Sequence, residues 1–354
     1  MITADIRRAT WDAAQAAAAA GELPPVITSP ARNQPVDAST LRPVPRAPGQ
    51  YTSTLPYRLA APGAAPARIA AILASRLTSL PWIARATATT GHLTITVTDA
   101  ALAALAVRVA QADDCARSDI LRGMTVPAPA TAADLAASPS WQDARARLTA
   151  EITGRLASKA GAKIFSERLA PADSRRPQRS APVAAALAYA GHDAVRYALI
   201  SRADGWPDGT SVELLVRYHL SNPVYAVRYA HAHAASTLRQ AADLGLGAGD
   251  ADQFAARLLS QQHERALLGA MSWLPERVAW AARRGRPGEF ARYLAELAGA
   301  YHDCRENCPA LPFGGHSAPR DPGTIRARLW LVTAARTAIA AGLGLIGVSA
   351  PDRL

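Results

Sequence analysis

Residues Asn222–Ala241 read "NPVYAVRYAHAHAASTLRQA". Pro223 suits the first turn of a helix, where a missing N–H loses no intrahelical bond. From there Tyr225, Tyr229 and His233 recur every four residues and share one face. Arg228, Ala232, Ala235 and Arg239 share the adjacent one. A ring stripe of this kind serves either as core packing or as a binding face. Outward from this helix the pattern stays helical. Segments 182–202, 208–241, 249–271, 272–284, 287–304 and 321–346 carry apolar residues at helical spacing, with breaks at "ADGWPDG" and "GLGAGD". Residues 182–354 are therefore expected to form an all-α bundle.

Upstream the pattern changes. Residues 26–60 are punctuated by proline, and 65–80 place Ile69, Ile72, Leu73, Leu77 and Leu80 at helical spacing. Residues 82–99 hold two β-rich runs around "TTG", which read as a hairpin, and a further helix follows. Residues 1–112 thus read as a small α+β domain. Between them, 113–181 reads as a connector: a linker "TVPAPATAADLAASP", a helix "SWQDARARLTAEITGRLASKAGAKIF" capped by Ser138 or Ser140, and a basic linker "PADSRRPQRSAP". The fold class is mainly α, a C-terminal helical bundle with a small N-terminal α+β domain.

The chain has 354 residues, 49 % of them hydrophobic and 19 % charged, so it is globular. Its formal net charge is +11, and lysine occurs only at 159 and 163. A codon bias toward arginine accounts for Arg over Lys but not for the excess of cations over carboxylates. That excess points to a polyanionic partner. No run reaches the roughly 18 consecutive apolar residues of a membrane helix. The opening residues lack a cleavable signal pattern, which argues for a cytosolic setting and no membrane partner. Cys115, Cys304 and Cys308 form no CxxC pair and read as reduced structural thiols. His231 and His233 stand about 200° apart on a helix and cannot chelate one metal from one face. No metal and no cofactor is expected.

Several stretches taken in order resemble the arginyl-tRNA synthetase family. "DAVRYALISR" resembles the DALR motif of its anticodon-binding domain, and "NPVYAVRYAHAHAASTLRQA" its "NPVYYVQYAHAR" helix. "ERALLGAMSWLPERVAWAA" and "FARYLAELAGAYHDCRENCPAL" follow, and "RARLWLVTAARTAIAAGLGLIGVSAPDRL" is similar to the family's C-terminus. The resemblance covers about 182–354. It implies tRNA as partner, tRNA-Arg first, with rings stacking on unstacked anticodon bases and arginines neutralising phosphates. Carried onto this chain, it implicates Arg196, Arg202, Tyr225, Arg228, Tyr229, His233 and Arg239. Within that helix Ala226, Arg228 and His233 depart from the family's Tyr, Gln and Arg. "GQYTSTLPYRLA", "IAAILASRL" and "GHLTITVT" resemble, in order, parts of the family's additional N-terminal domain, which grips the tRNA elbow.

Family members activate arginine on a nucleotide-binding sheet, and such a sheet needs on the order of 150 residues or more. Only about 112–181 lies between the two recognisable parts, without a HIGH-type or KMSKS-type sequence. The expectation is a synthetase paralogue that lacks the catalytic domain and is not an enzyme. It would hold tRNA as an accessory, regulatory or delivery factor, with another synthetase or a tRNA-using enzyme as further partner. Two alternatives stand beside it: an enzyme using aminoacyl-tRNA or assisting ligation in trans, and a protein-interaction module.

Overall fold

A computed structural model describes residues 2–24, 40–44, 47–167, 182–201, 212–312 and 321–354. The order of elements is α1 (Ile2–Ala19), β1 (Leu41–Pro43), β2 (Gln50–Ser53), α2 (Leu55–Leu59), α3 (Pro66–Thr78), β3 (Ile83–Thr89), β4 (His92–Val97), α4 (Asp99–Ala103) and α5 (Leu105–Ala110). Then come β5 (Thr125–Pro129), α6 (Trp141–Lys159), β6 (Lys163–Glu167), α7 (Pro182–Ala190), α8 (His192–Ser201), α9 (Val212–Leu215) and α10 (Pro223–Asp243). The last four helices are α11 (Gln262–Ser272), α12 (Leu274–Arg284), α13 (Pro287–Asn307) and α14 (Pro322–Ile346). The protein is mainly α, and among the described residues strands occur only in the first half of the chain.

The chain divides into two compact units, each assembled from separated stretches. The first comprises Met1–Ala112, Leu246–Trp273 and Glu306–Ala334. Its sheet is antiparallel in the order β1-β2-β4-β3, with Tyr51 opposite Ile95 and Ala86 opposite Ile95 on the other side. Leu93, Ile95 and Val97 alternate inward along β4 and are buried with Ile69, Leu73 and Leu77 of α3. The expected hairpin turns at Thr90 and Gly91, both at positive φ (47° and 85°), the pair a type I′ turn requires. Tyr51 donates its hydroxyl to Ser272 Oγ at 3.0 Å and packs on Trp273 at 5.5 Å. A buried Arg328–Glu264 pair at 2.7 Å ties α14 to α11.

The second unit comprises Asp113–Gly245, Leu274–Arg305 and Ala335–Leu354. Two sequence expectations are corrected here. Residues 125–129, read as linker, form β5, and residues 163–165, read as the end of a helix, belong to β6. The two strands pair in parallel, Thr125 opposite Lys163. Between them α6 is capped by Ser140, whose Oγ accepts from Asp143 N at 3.1 Å. Gly161 at φ 89° reverses the chain after α6. A side chain at Gly154 would meet Ala128 Cβ at 2.3 Å, so glycine lets the helix lie on β5. The long helices expected over 182–202, 208–241 and 249–271 are also interrupted. Gly191 at φ 79° separates α7 from α8, residues 216–222 separate α9 from α10, and 249–261 hold only short 3₁₀ turns. The basic linker after residue 170 lies outside the described residues, as does "ADGWPDG".

α14 is long and apolar enough to cross a membrane by length and composition, with mean hydropathy 1.7, and 61 % of that window is buried within the protein. Core helices share this character. Cys115, Cys304 and Cys308 are all buried. Burial, and then the neighbouring Asp114 carboxylate, push the Cys115 thiol up to about 11, away from the reactive range.

Candidate nucleic-acid interface

α10 begins where its sequence says it should, with Asn222 at the N-cap position and Pro223 opening the helix. Asn222 does not cap with its side chain. Its Nδ2 instead donates to the carbonyls of Leu215 and Arg217, each at 3.0 Å. An amide carries two donors, and both are used to fold the preceding segment back on the helix start. That segment holds Tyr218.

The ring stripe continues beyond its own helix. Tyr225 and Tyr229 stack, with centroids 5.5 Å apart and planes 10° from parallel. Tyr218 meets Tyr225 edge-on at 5.7 Å. At the other end Tyr229 lies over His302 of α13 at 5.7 Å and 21°. Arg305 holds its guanidinium 5.3 Å from the Tyr229 ring centre. His233 closes the inner end, 3.0 Å from the Tyr301 hydroxyl. Exposure rises along this ladder, from buried Tyr301 through the half-buried Tyr229 and Tyr225 to Tyr218, which is 82 % exposed.

The inner end has a defined protonation state. Burial, and then the Arg305 cation and His302, push His233 down to about 4, so its ring is neutral near pH 7. Burial raises the Tyr301 phenol well above its ordinary value, so it keeps its proton. A neutral imidazole and a protonated phenol thus share the hydrogen bond between His233 Nδ1 and Tyr301. His302 Nε2 lies 3.0 Å from the Ala226 carbonyl, which can only accept, so this nitrogen carries a hydrogen. Stacked faces open to solvent at one end, with a cation beside them, suit single-stranded bases. Among the described residues no group of three or more His, Cys, Asp or Glu side chains could hold a metal ion.

The cations named from the sequence are placed differently from the rings. Arg196 is 5 % exposed. It lies 2.7 Å from Glu151 and 3.4 Å from the Ile346 carbonyl, and Glu151 also pairs with Arg155 at 2.8 Å. This corrects the reading of Arg196 as a phosphate contact, because a guanidinium buried on a carboxylate offers nothing to solvent. Arg228 donates to Ser349 Oγ at 3.2 Å and sits 3.4 Å from Asp193. Asp193 also accepts from the amide of Ser349 at 3.1 Å and from its hydroxyl. Arg239 donates to the main-chain oxygen of Asp352 at 3.2 Å, and His231 Nδ1 to that of Pro351 at 2.9 Å. Arg336 binds the Asp352 carboxylate at 2.9 Å and holds it below the usual carboxylate range. Arg228 and Arg239 are thus each held by residues 349–352. Arg202 lies outside the described residues.

The structure therefore brings together Tyr225, Tyr229 and His233 and adds four groups the sequence reading missed: Tyr218, Tyr301, His302 and Arg305. The last three carried a legible signal, since Tyr301 and Arg305 stand four apart in "AYHDCREN". Tyr218 carried none, because nothing local fixes where a loop ring points.

Residues 227–354 match the DALR anticodon binding domain family. Over 164 residues the chain is 40 % identical to the arginine–tRNA ligase of Kineococcus radiotolerans, covering 46 % of this chain and 29 % of that protein. Over 203 residues it is 36 % identical to the arginine–tRNA ligase of Paenarthrobacter aurescens, covering 57 % and 34 %. The chain thus aligns with about a third of the length of these relatives. The fold is similar to that of Thermus thermophilus arginyl-tRNA synthetase, with a TM-score of 0.65 at 14 % identity and full coverage of both chains. These findings correct the expectation that the chain is not an enzyme: its relatives are named ligases, and the likeness to a synthetase fold runs over its whole length. Residues 227–354 thus match a DALR anticodon-binding domain, and part of the chain is similar in sequence to arginine–tRNA ligases.

Proposed function

We propose that the chain binds tRNA through the ring ladder and serves arginine–tRNA ligation, with tRNA-Arg as its nucleic-acid partner. The observation that carries this is the ladder's graded exposure on a DALR domain. Its inner rings are anchored by the Tyr301–His233 hydrogen bond, and its outer ring, Tyr218, stands in solvent. Anchored π faces accept an unstacked base with little ordering cost. The α+β region at 1–112, which resembles the family's additional N-terminal domain, takes the tRNA elbow in this reading.

The test has two parts. Purified chain is titrated with tRNA-Arg and with other tRNAs across a salt series, and with about five phosphate contacts the log–log slope is expected near −3.5 to −4.5. Arginine- and ATP-dependent charging of tRNA-Arg is then measured with the chain alone and with the chain added to a separate arginine–tRNA ligase. Charging by the chain, or an increase on its addition, supports a role in ligation. No change in either arm removes that role, and no saturable tRNA binding removes the whole reading.

A further inference from the structure

Residues 283–292, "RRGRPGEFAR", hold four arginines and one carboxylate. They form the corner between α12 and α13. Gly285 takes φ 62°, the amide of Arg286 donates to the Ala281 carbonyl at 2.9 Å, and the amide of Gly285 donates to that of Ala282 at 3.1 Å. This doubly bonded helix end fixes the corner's backbone. Two further contacts brace it from below. A side chain at Gly288 would meet the Ile200 carbonyl at 2.4 Å, so α13 starts in direct backbone contact with the end of α8. Tyr197 of α8 donates its hydroxyl to the Ala291 carbonyl at 2.8 Å.

Arg283, Arg284, Arg286 and Arg292 are all exposed on this rigid corner. Glu289 is shared, 3.0 Å from Arg284 and 3.6 Å from Arg286, so one carboxylate serves two guanidiniums. Helix electrostatics account for Arg283 and Arg284, because the C-terminal end of α12 favours cations. They do not account for Arg286, which stands at the N-terminal end of α13, where the backbone favours anions. Farther along α13 the exposed charges are Glu296, Asp303 and Glu306, so the positive charge is confined to the corner. Pro287 and Phe290 are buried. The corner thus lacks the exposed apolar residues with which a basic helix enters a lipid surface.

We propose that this corner grips the sugar–phosphate backbone of an RNA strand; the proposal rests on the tRNA-binding reading above. Arg292 and His302 lie on the same helix, ten residues and so about 15 Å apart along its axis. That distance corresponds to roughly four nucleotides at about 3.4 Å per residue of a stacked strand. Bases in the ladder and phosphates at the corner then belong to one stem-loop.

The variant Arg284→Gln/Arg286→Gln/Arg292→Gln is compared with the wild-type chain on tRNA-Arg and on its isolated anticodon stem-loop, from 50 to 300 mM salt, with thermal unfolding measured on the same samples. The expected result is unchanged stability, an affinity about ten-fold lower or more for both RNAs, and a log–log slope smaller by about two. Wild-type affinity and slope in the folded triple variant would overturn the corner while leaving the ladder standing. A wild-type chain that binds neither RNA overturns the tRNA-binding reading and the corner together. Vesicles of phosphatidylserine and phosphatidylcholine are the counter-probe: arginine-dependent vesicle binding without any RNA effect would assign the corner to lipid and overturn the proposal.

Discussion

The rings and the cations of α10 start from the same sequence spacing and end in opposite situations. Tyr225 and Tyr229 continue outward to an exposed ring, Tyr218, whereas Arg228 and Arg239 turn onto residues 349–352. The difference lies in what each group demands. A phenol or imidazole is satisfied by a ring face and one hydrogen bond, and neighbours on adjacent turns supply these. A guanidinium carries five donors and is drawn to whatever carboxylates and carbonyls the fold brings near. On this helix those acceptors come from Asp193 and from the last residues of the chain. A run of arginines beside aromatic residues is therefore a weaker sign of phosphate binding than the aromatic residues are of a stacking surface.

That contrast breaks most visibly at Arg196. Replacing it by Ala leaves Glu151 buried with the partly exposed Arg155 as its one remaining cation beside the Ala133 amide, and stability should fall by about 3–5 kcal/mol. The tRNA affinity of the molecules that remain folded should not change. A large loss of affinity at wild-type melting temperature would return Arg196 to the interface. The outer ring should behave in the opposite way. Tyr218→Ala is expected to weaken tRNA binding by ~1–3 kcal/mol, the worth of a base–aromatic stack, with no change in denaturant midpoint. Equal affinity for the two proteins would confine the ladder to a structural role.

The ladder's inner end gives a pH test. His233 is held at about 4, below its ordinary value of 6.5, so between those values the unfolded chain binds more protons than the folded one. Stability should consequently decline as pH falls from about 6.5 toward 4. The effect is on the order of 1–2 kcal/mol once discounted for the ring's partial exposure. Urea titrations at several pH values check it, and a His233→Gln chain with the same dependence would show that another group is responsible. The smallest effect belongs to the clamp. Arg239→Gln removes one exposed donor and should cost less than about 1 kcal/mol, with tRNA affinity and salt slope unaltered. A slope lowered by one unit would mean that Arg239 leaves Asp352 to contact phosphate.

Local chemistry carried the sequence reading far in some places. Ser140 and the Thr90–Gly91 turn are short-range devices, and each opens or reverses an element as its residue type dictates. The helical bundle followed from apolar spacing, and the DALR resemblance followed from the order of its stretches. The misses share a different character. β5 and β6 pair across an intervening helix, and "TVPAP" has no alternation to announce a strand. The breaks at Gly191 and at 216–222 fell inside stretches whose apolar spacing continued across them.

By itself the sequence determined that the C-terminal half is dominated by helices, which rings share a face of α10, and that the chain carries a large excess of arginine. These depend on residues within a turn or two of each other, so their spacing is sufficient. Only the tertiary structure decided which arginines are spent inside the molecule. Arg228 meets Ser349 across 121 residues, and Arg196 meets Glu151 across 45. Pairing at such separations depends on how the helices pack, and on which cations that packing removes from water.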